Sequence, residues 1–257
     1  MSFLETTSAS QRAGAVIGLI VIGLAVRIVM AGGVERYFDP MAVVEDELVA
    51  ALEEHPGDLL VLDAMRTYFP DDYEDLIETM ADVAVEGAPS ELIADAGNAQ
   101  LALFLSRHKN DFANAPTANL DAALASEIAL MEALQQQDVG ACSAYAFGIG
   151  LFEGKPSEEV RELLGQSVVA KVQAMSAGRT DQQMRLEVTG PMMEELVATM
   201  QANGASEAQV TVALQGSADF VMADSQRCDA ALITLRSIQQ QEEYARAMMI
   251  GEYLAVG

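Results

Sequence analysis

Basic side chains are scarce in this chain, with 14 lysines and arginines against 39 aspartates and glutamates and a formal net charge of −25. Only Lys109, Lys155 and Lys171 are lysines. No basic stripe exists anywhere, and the field of such a chain repels phosphate backbones, so nucleic acid is excluded as a partner. The same field repels anionic lipid, so the acidic part does not lie flat on a membrane surface. It suits a solvated surface or a basic protein partner.

Metal-binding and catalytic signatures are missing too. The chain has two histidines and two cysteines, with no CxxC and no Cys/His cluster, which removes a thiolate metal site. There is no GxSxG elbow, Walker loop or GxGxxG fingerprint. Calcium loops and ExxH pairs are absent as well. His55 precedes a proline in a helix break, and His108 lies in Arg107-His108-Lys109 near a helix end, where cations complement the helix dipole; both read as structural or surface residues. Acidic pairs such as Asp71-Asp72 and Glu158-Glu159 are plentiful, but adjacent acids on a helix point in different directions. Asp71, Asp72 and Glu74 offer at most a loose calcium site, against which capping is the stronger reading. No catalytic residue, cofactor or metal is assigned.

What the chain does have is one long apolar run, Ala13 to Gly33, whose only charge is Arg27. A helix rises about 1.5 Å per residue and the hydrocarbon core is about 30 Å thick, so about 20 residues cross it. Residues 13–33 are long enough, behind a short tail of residues 1–12. Arg27 falls in the last third of the run, where its stem carries the guanidinium toward the headgroups and makes it an interfacial residue. Gly14 and Gly18 form a GxxxG pair, a face for helix contact inside the membrane. A cleaved signal peptide and a buried hairpin or interfacial helix are the rival readings, and Arg27 between the apolar run and the small residues Ala31 and Gly33 argues against cleavage. Lysine and arginine flank the run almost evenly, so the positive-inside rule hardly decides orientation. A short tail followed by a large exported domain is the ordinary arrangement of an uncleaved signal anchor.

Residues 34–257 read as an acidic, all-helical domain with enough apolar content for a core, 51% of the whole chain being hydrophobic. No alternating β runs or hairpin signals occur. Helix starts are frequent: Asp39-Pro40, His55-Pro56, Phe69-Pro70-Asp71, Ala88-Pro89-Ser90, Pro116 and Lys155-Pro156-Ser157. Asp71 with Glu74, Thr180 with Gln183 and Ser206 with Gln209 have capping-box spacing. Leu120, Leu124, Ile128, Met131 and Leu134 make one apolar stripe, and Val160, Leu163, Leu164, Val168, Val172 and Met175 another. Val139 to Phe152 carries no charge and fits a central buried helix. A last helix is expected from about Ser217 to Leu254. Short links between amphipathic helices predict a multi-helix bundle or stacked helical hairpins, with a subdomain joint, if there is one, near residues 111–117.

Cys142 and Cys228 are candidates for one disulfide, the alternative being two buried thiols; the bridge goes with the exported orientation. Met192-Met193 and Met248-Met249 read as core filling before an adaptable partner surface. The expected protein is thus all-α: a membrane-spanning helix at residues 13–33, held in lipid, followed by a helical body. Its expected role is non-catalytic, as an accessory or scaffold subunit that docks on a membrane complex or tethers a basic protein. A helical module for an apolar ligand and an enzyme with an unrecognised carboxylate site are the alternatives.

Overall fold

A computed structural model describes residues 41–43, 45–46, 56–147, 156–215 and 222–255. Residues 13–33, with Gly14, Gly18 and Arg27, lie outside the described residues, as does His55. Among the described residues no strand occurs, and no helix is long and apolar enough to cross a membrane.

The helices follow the proline punctuation of the sequence. Helix α1 (Pro56–Tyr68) and α2 (Pro70–Val85) each open on a proline, whose fixed φ suits the first helical turn. Gly87, at φ 77°, closes α2 in the left-handed region that favours glycine. Helix α3 (Ser90–Ala113) follows Pro89, and α4 (Thr117–Gln137) follows Pro116. Asp138 then turns the chain, its carboxylate accepting from the Gly140 amide at 2.8 Å, into α5 (Val139–Phe147). The Ser157 hydroxyl accepts from the Val160 amide and caps α6 (Glu158–Thr180), with Glu158 and Glu159 at its positive end. Helices α7 (Gly190–Ala202), α8 (Glu207–Gln215), α9 (Asp224–Gln239) and α10 (Glu243–Leu254) complete the described chain. The Ser206–Gln209 capping box forms as expected, with the Gln209 amide donating to Ser206 Oγ and Gln209 Oε1 accepting from the Ser206 amide.

Helix α4 is the centre. It packs on α6 on one side and on α5, α9 and α10 on the other. Its stripe residues Leu120, Leu124, Met131 and Leu134 are at most 1% exposed, and Ile128 is 8% exposed. Around α6 gather α1 and α3, with α2 on α1 and α3; around α9 gather α5, α7 and α8. The uncharged segment supplies α5, where Cys142, Tyr145 and Phe147 are buried. Met248 and Met249 are core residues, and Met192 and Met193 pack against the core from its edge.

Two close approaches need glycine. A Cβ on Gly165 would lie 2.1 Å from the Gly57 carbonyl oxygen, so α1 and α6 touch backbone to backbone. A Cβ on Gly178 would lie 1.8 Å from the Asp111 carbonyl oxygen, where α6 crosses the end of α3.

Three local expectations are corrected. Asp71 and Glu74 form no capping box: Phe69 is the N-cap without a side-chain bond, and Pro70 moves Asp71 into the first turn. Thr180 starts no helix. It ends α6, its hydroxyl donating back to Ser176 and Ala177 carbonyls, and residues 182–189 are non-helical. The last helix is not continuous, because Gln241 turns inward between α9 and α10. Its amide donates to Thr199 Oγ1 at 3.1 Å and to the Ser237 carbonyl at 3.0 Å, and Arg246 takes the Gln241 carbonyl.

Candidate functional site

Three arrangements stand out: two buried clusters of charged side chains and one surface connector. The first cluster is centred on Glu127, which occupies a stripe position of α4, three residues after Leu124. It faces Ser167 and Lys171, one turn apart on α6, and Tyr145 on α5. Glu127 Oε2 accepts from Ser167 Oγ at 2.7 Å and from Lys171 Nζ at 2.9 Å. Burial pushes the Glu127 carboxyl up, yet the Lys171 charge and hydrogen bond, with hydrogen bonds from Ser167 and Tyr145, hold it below the ordinary carboxylate value. Ser167 is fully buried and its proton is committed to Glu127. This arrangement fixes the register of three helices.

The second cluster joins α2 to α3. His108 is buried, with Nδ1 2.7 Å from Asp111 Oδ2 and Nε2 3.0 Å from Asp72 Oδ2. Both ring nitrogens face carboxylate oxygens, and only the imidazolium donates from both. Arg107 reaches the other oxygen of Asp72. The ring lies against Phe69 and Phe104, with centroids 4.5 and 5.0 Å away, and the Arg179 guanidinium sits 5.0 Å from the Phe69 ring centroid on the same aromatic group. Beside it, the Tyr73 hydroxyl donates to Glu45 at 2.8 Å. Burial first, then that carboxylate, push the phenol up.

The third is the connector between α6 and α7. Arg185 points inward from it and donates to the carbonyls of Ala113 and Ala115 at 3.1 and 2.7 Å and to Thr117 Oγ1 at 3.2 Å. Burial lowers the pKa of this guanidinium. The Gln183 amide donates to the Asn114 carbonyl at 2.8 Å. The corner between α3 and α4, residues 111–117, is thereby clamped from outside. Met184 and Leu186, on either side of Arg185, are 86% and 78% exposed.

Of the residues singled out in the sequence, Cys142 and Cys228 are brought together. Their sulfurs are at disulfide distance, the Cα atoms are 5.5 Å apart, and both are fully buried between α5 and α9. Asp71, Asp72 and Glu74 do not converge: Asp72 turns into the His108 cluster, and Asp71 and Glu74 stay exposed. Among the described residues no group of three histidines, cysteines or acids is placed to hold a metal. Sequence reasoning missed the Glu127–Lys171 pair. The available signal was an acid inside one apolar stripe and a lysine and a serine inside another.

No family model matches the chain, and neither a curated protein nor a solved structure matches it.

Proposed function

We propose that this protein is a membrane-anchored accessory or scaffold subunit, with residues 13–33 in lipid and the acidic helical body on the exported side. The observation that carries the reading is the pairing of that apolar run with Cys142 and Cys228 at disulfide distance in the core. A disulfide in a chain of this kind favours an oxidising compartment, and a signal anchor would deliver the body there. The buried charges support a binding role over chemistry, because Glu127, Lys171, Asp72 and His108 are turned onto one another. The large surplus of acids supports a basic protein as partner.

The test is fractionation of the full chain. Membranes from expressing cells are washed with alkaline carbonate, and the chain is expected to stay with the pellet until detergent is added. On sealed vesicles of known sidedness the body should be open to protease from the exported face. Alkylation after denaturation should find no free thiol unless reductant is added first. Recovery of intact chain, residues 1–40 included, in the aqueous wash would end the proposal.

A further inference from the structure

Residues 182–189 form the longest non-helical connector among the described residues. Binding residues are disproportionately found on surface connectors positioned by a rigid scaffold. This one is held firmly, with Arg185 tied to two carbonyls and a hydroxyl of the α3–α4 corner and Gln183 tied to Asn114. The fixings all face inward. Outward stand Met184 and Leu186, the two most exposed large apolar side chains of the described residues. Tyr244, at the start of α10, is half exposed as well. In the described backbone, neither the Met184 nor the Leu186 amide donates to another backbone carbonyl.

The surroundings of the patch are negative. Glu187 follows Leu186 and lies near Glu252, whose carboxyl is pushed up by burial and then by the Glu187 charge. Glu243 precedes Tyr244 in sequence. The cations here are turned inward: Arg185 faces carbonyls, and Arg246 is paired with Asp121 at 2.7 Å. An apolar tip with an acidic rim is complemented by an apolar pocket with a basic rim. A connector already fixed in place loses little freedom on binding, and methionine adapts to irregular pockets.

We propose that Met184 and Leu186 are the apolar anchors by which this protein grips a basic partner protein, one that offers an apolar pocket flanked by arginine or lysine. This rests on the scaffold reading above and names the surface that does the holding.

The test uses the full chain in non-ionic detergent and three labelled synthetic peptides of equal length, read by fluorescence anisotropy: alternating Arg–Leu, alternating Arg–Ser and alternating Glu–Leu. The Arg–Leu peptide is expected to bind, and the other two to bind about tenfold or more weakly. The double substitution M184S/L186S should weaken the Arg–Leu peptide by about tenfold or more while leaving the thermal melt unchanged, since both side chains stand in solvent. Should the melt move, the single substitution Met184→Lys, which sets a charge at the tip that repels a basic partner, is read in its place, with the same loss of Arg–Leu binding expected. Equal binding of the Arg–Leu peptide to wild type and variant, equal binding of the Glu–Leu peptide, or no binding overturns the proposal. A dimer seen in sedimentation that M184S/L186S dissolves would assign the surface to a second copy and likewise overturn it. Loss of the carbonate-resistant pellet with the peptide result intact would remove the anchor and keep the surface; the reverse pair of results would remove the surface and keep the anchor.

Discussion

The two sides of α4 are held together by different chemistry. On the side of α1, α2, α3 and α6 the buried polar groups include ionisable ones: Asp72, His108 and Glu127, with Lys171 nearly so. On the side of α5, α7, α8, α9 and α10 the buried polar residues are neutral, namely Ser143, Thr234, Ser237 and Gln241, and the bridge-forming cysteines lie there. Ion pairs on that side reach the surface through at least one partner: Arg236–Glu132 is exposed, and Arg227, whose side chain is 12% exposed, pairs with the exposed Asp224 and donates to Ser143 Oγ at 2.8 Å. A buried charge is tolerated only with its partner, so the first side depends on protonation. A covalent link is indifferent to protonation, so the second side depends on redox state.

Reduction breaks the second side first. The bridge encloses a long loop, with a sequence separation of 86, and opening it removes about 4–5 kcal/mol in the chain-entropy account. Denaturant unfolding of the Cys142→Ser, Cys228→Ser double variant measures this. Hydrogen exchange should show α5 and α9 opening while α1, α3 and α6 stay protected.

Glu127→Ala breaks the first side, leaving Lys171 buried without its partner, at a cost of about 3–5 kcal/mol. The pair replacement Glu127→Leu with Lys171→Met should recover part of that, because the desolvation penalty of the two charges disappears along with their attraction while the buried Ser167 hydroxyl still loses its acceptor. Acid sharpens the same point. The folded pKa of Glu127 lies below its unfolded value, so its contribution is present above the unfolded value and is lost as pH falls through the folded one. Stability of the wild type should therefore drop in acid more steeply than that of the Leu/Met pair, as urea midpoints across that range will show.

His108→Leu is a smaller break. It strips one donor from Asp72 and one from Asp111, but Arg107 remains on Asp72. A loss of about 1–3 kcal/mol in urea unfolding is expected. The smallest effect belongs to Arg236→Met, which removes an exposed pair with Glu132 and should cost about 1 kcal/mol or less, screened further by salt. A cost as large as that of Glu127→Ala would erase the distinction between the two sides.

Helix starts were legible at Pro70, Pro116, Ser157 and Ser206, because those signals are local and complete within a few residues, whereas the capping-box spacing of Thr180 and Gln183 marks no helix start. The buried character of α5 followed from its lack of charge. Distant contacts were not legible. Residues 182–189 have a composition that a helix would accept, and what keeps them out of one is Arg185, fixed to carbonyls some seventy positions earlier. The break at Gln241 is similar: a run of glutamines and glutamates favours helix, and only the inward turn of one amide toward Thr199 interrupts it. Glu127 and Lys171 each violate an apolar stripe, and the violations cancel only once α4 and α6 are side by side. The outward placement of Met184 and Leu186 depends on the inward hold of the arginine between them.

The absence of side chains at Gly57 and Gly165 has a mechanical outcome. Because α1 meets α6 backbone against backbone at Pro56's neighbour, there is no cushion of rotamers between them to take up slack. A displacement of the α1 backbone at Gly57 is therefore met directly by the backbone of α6, which in turn packs on α4.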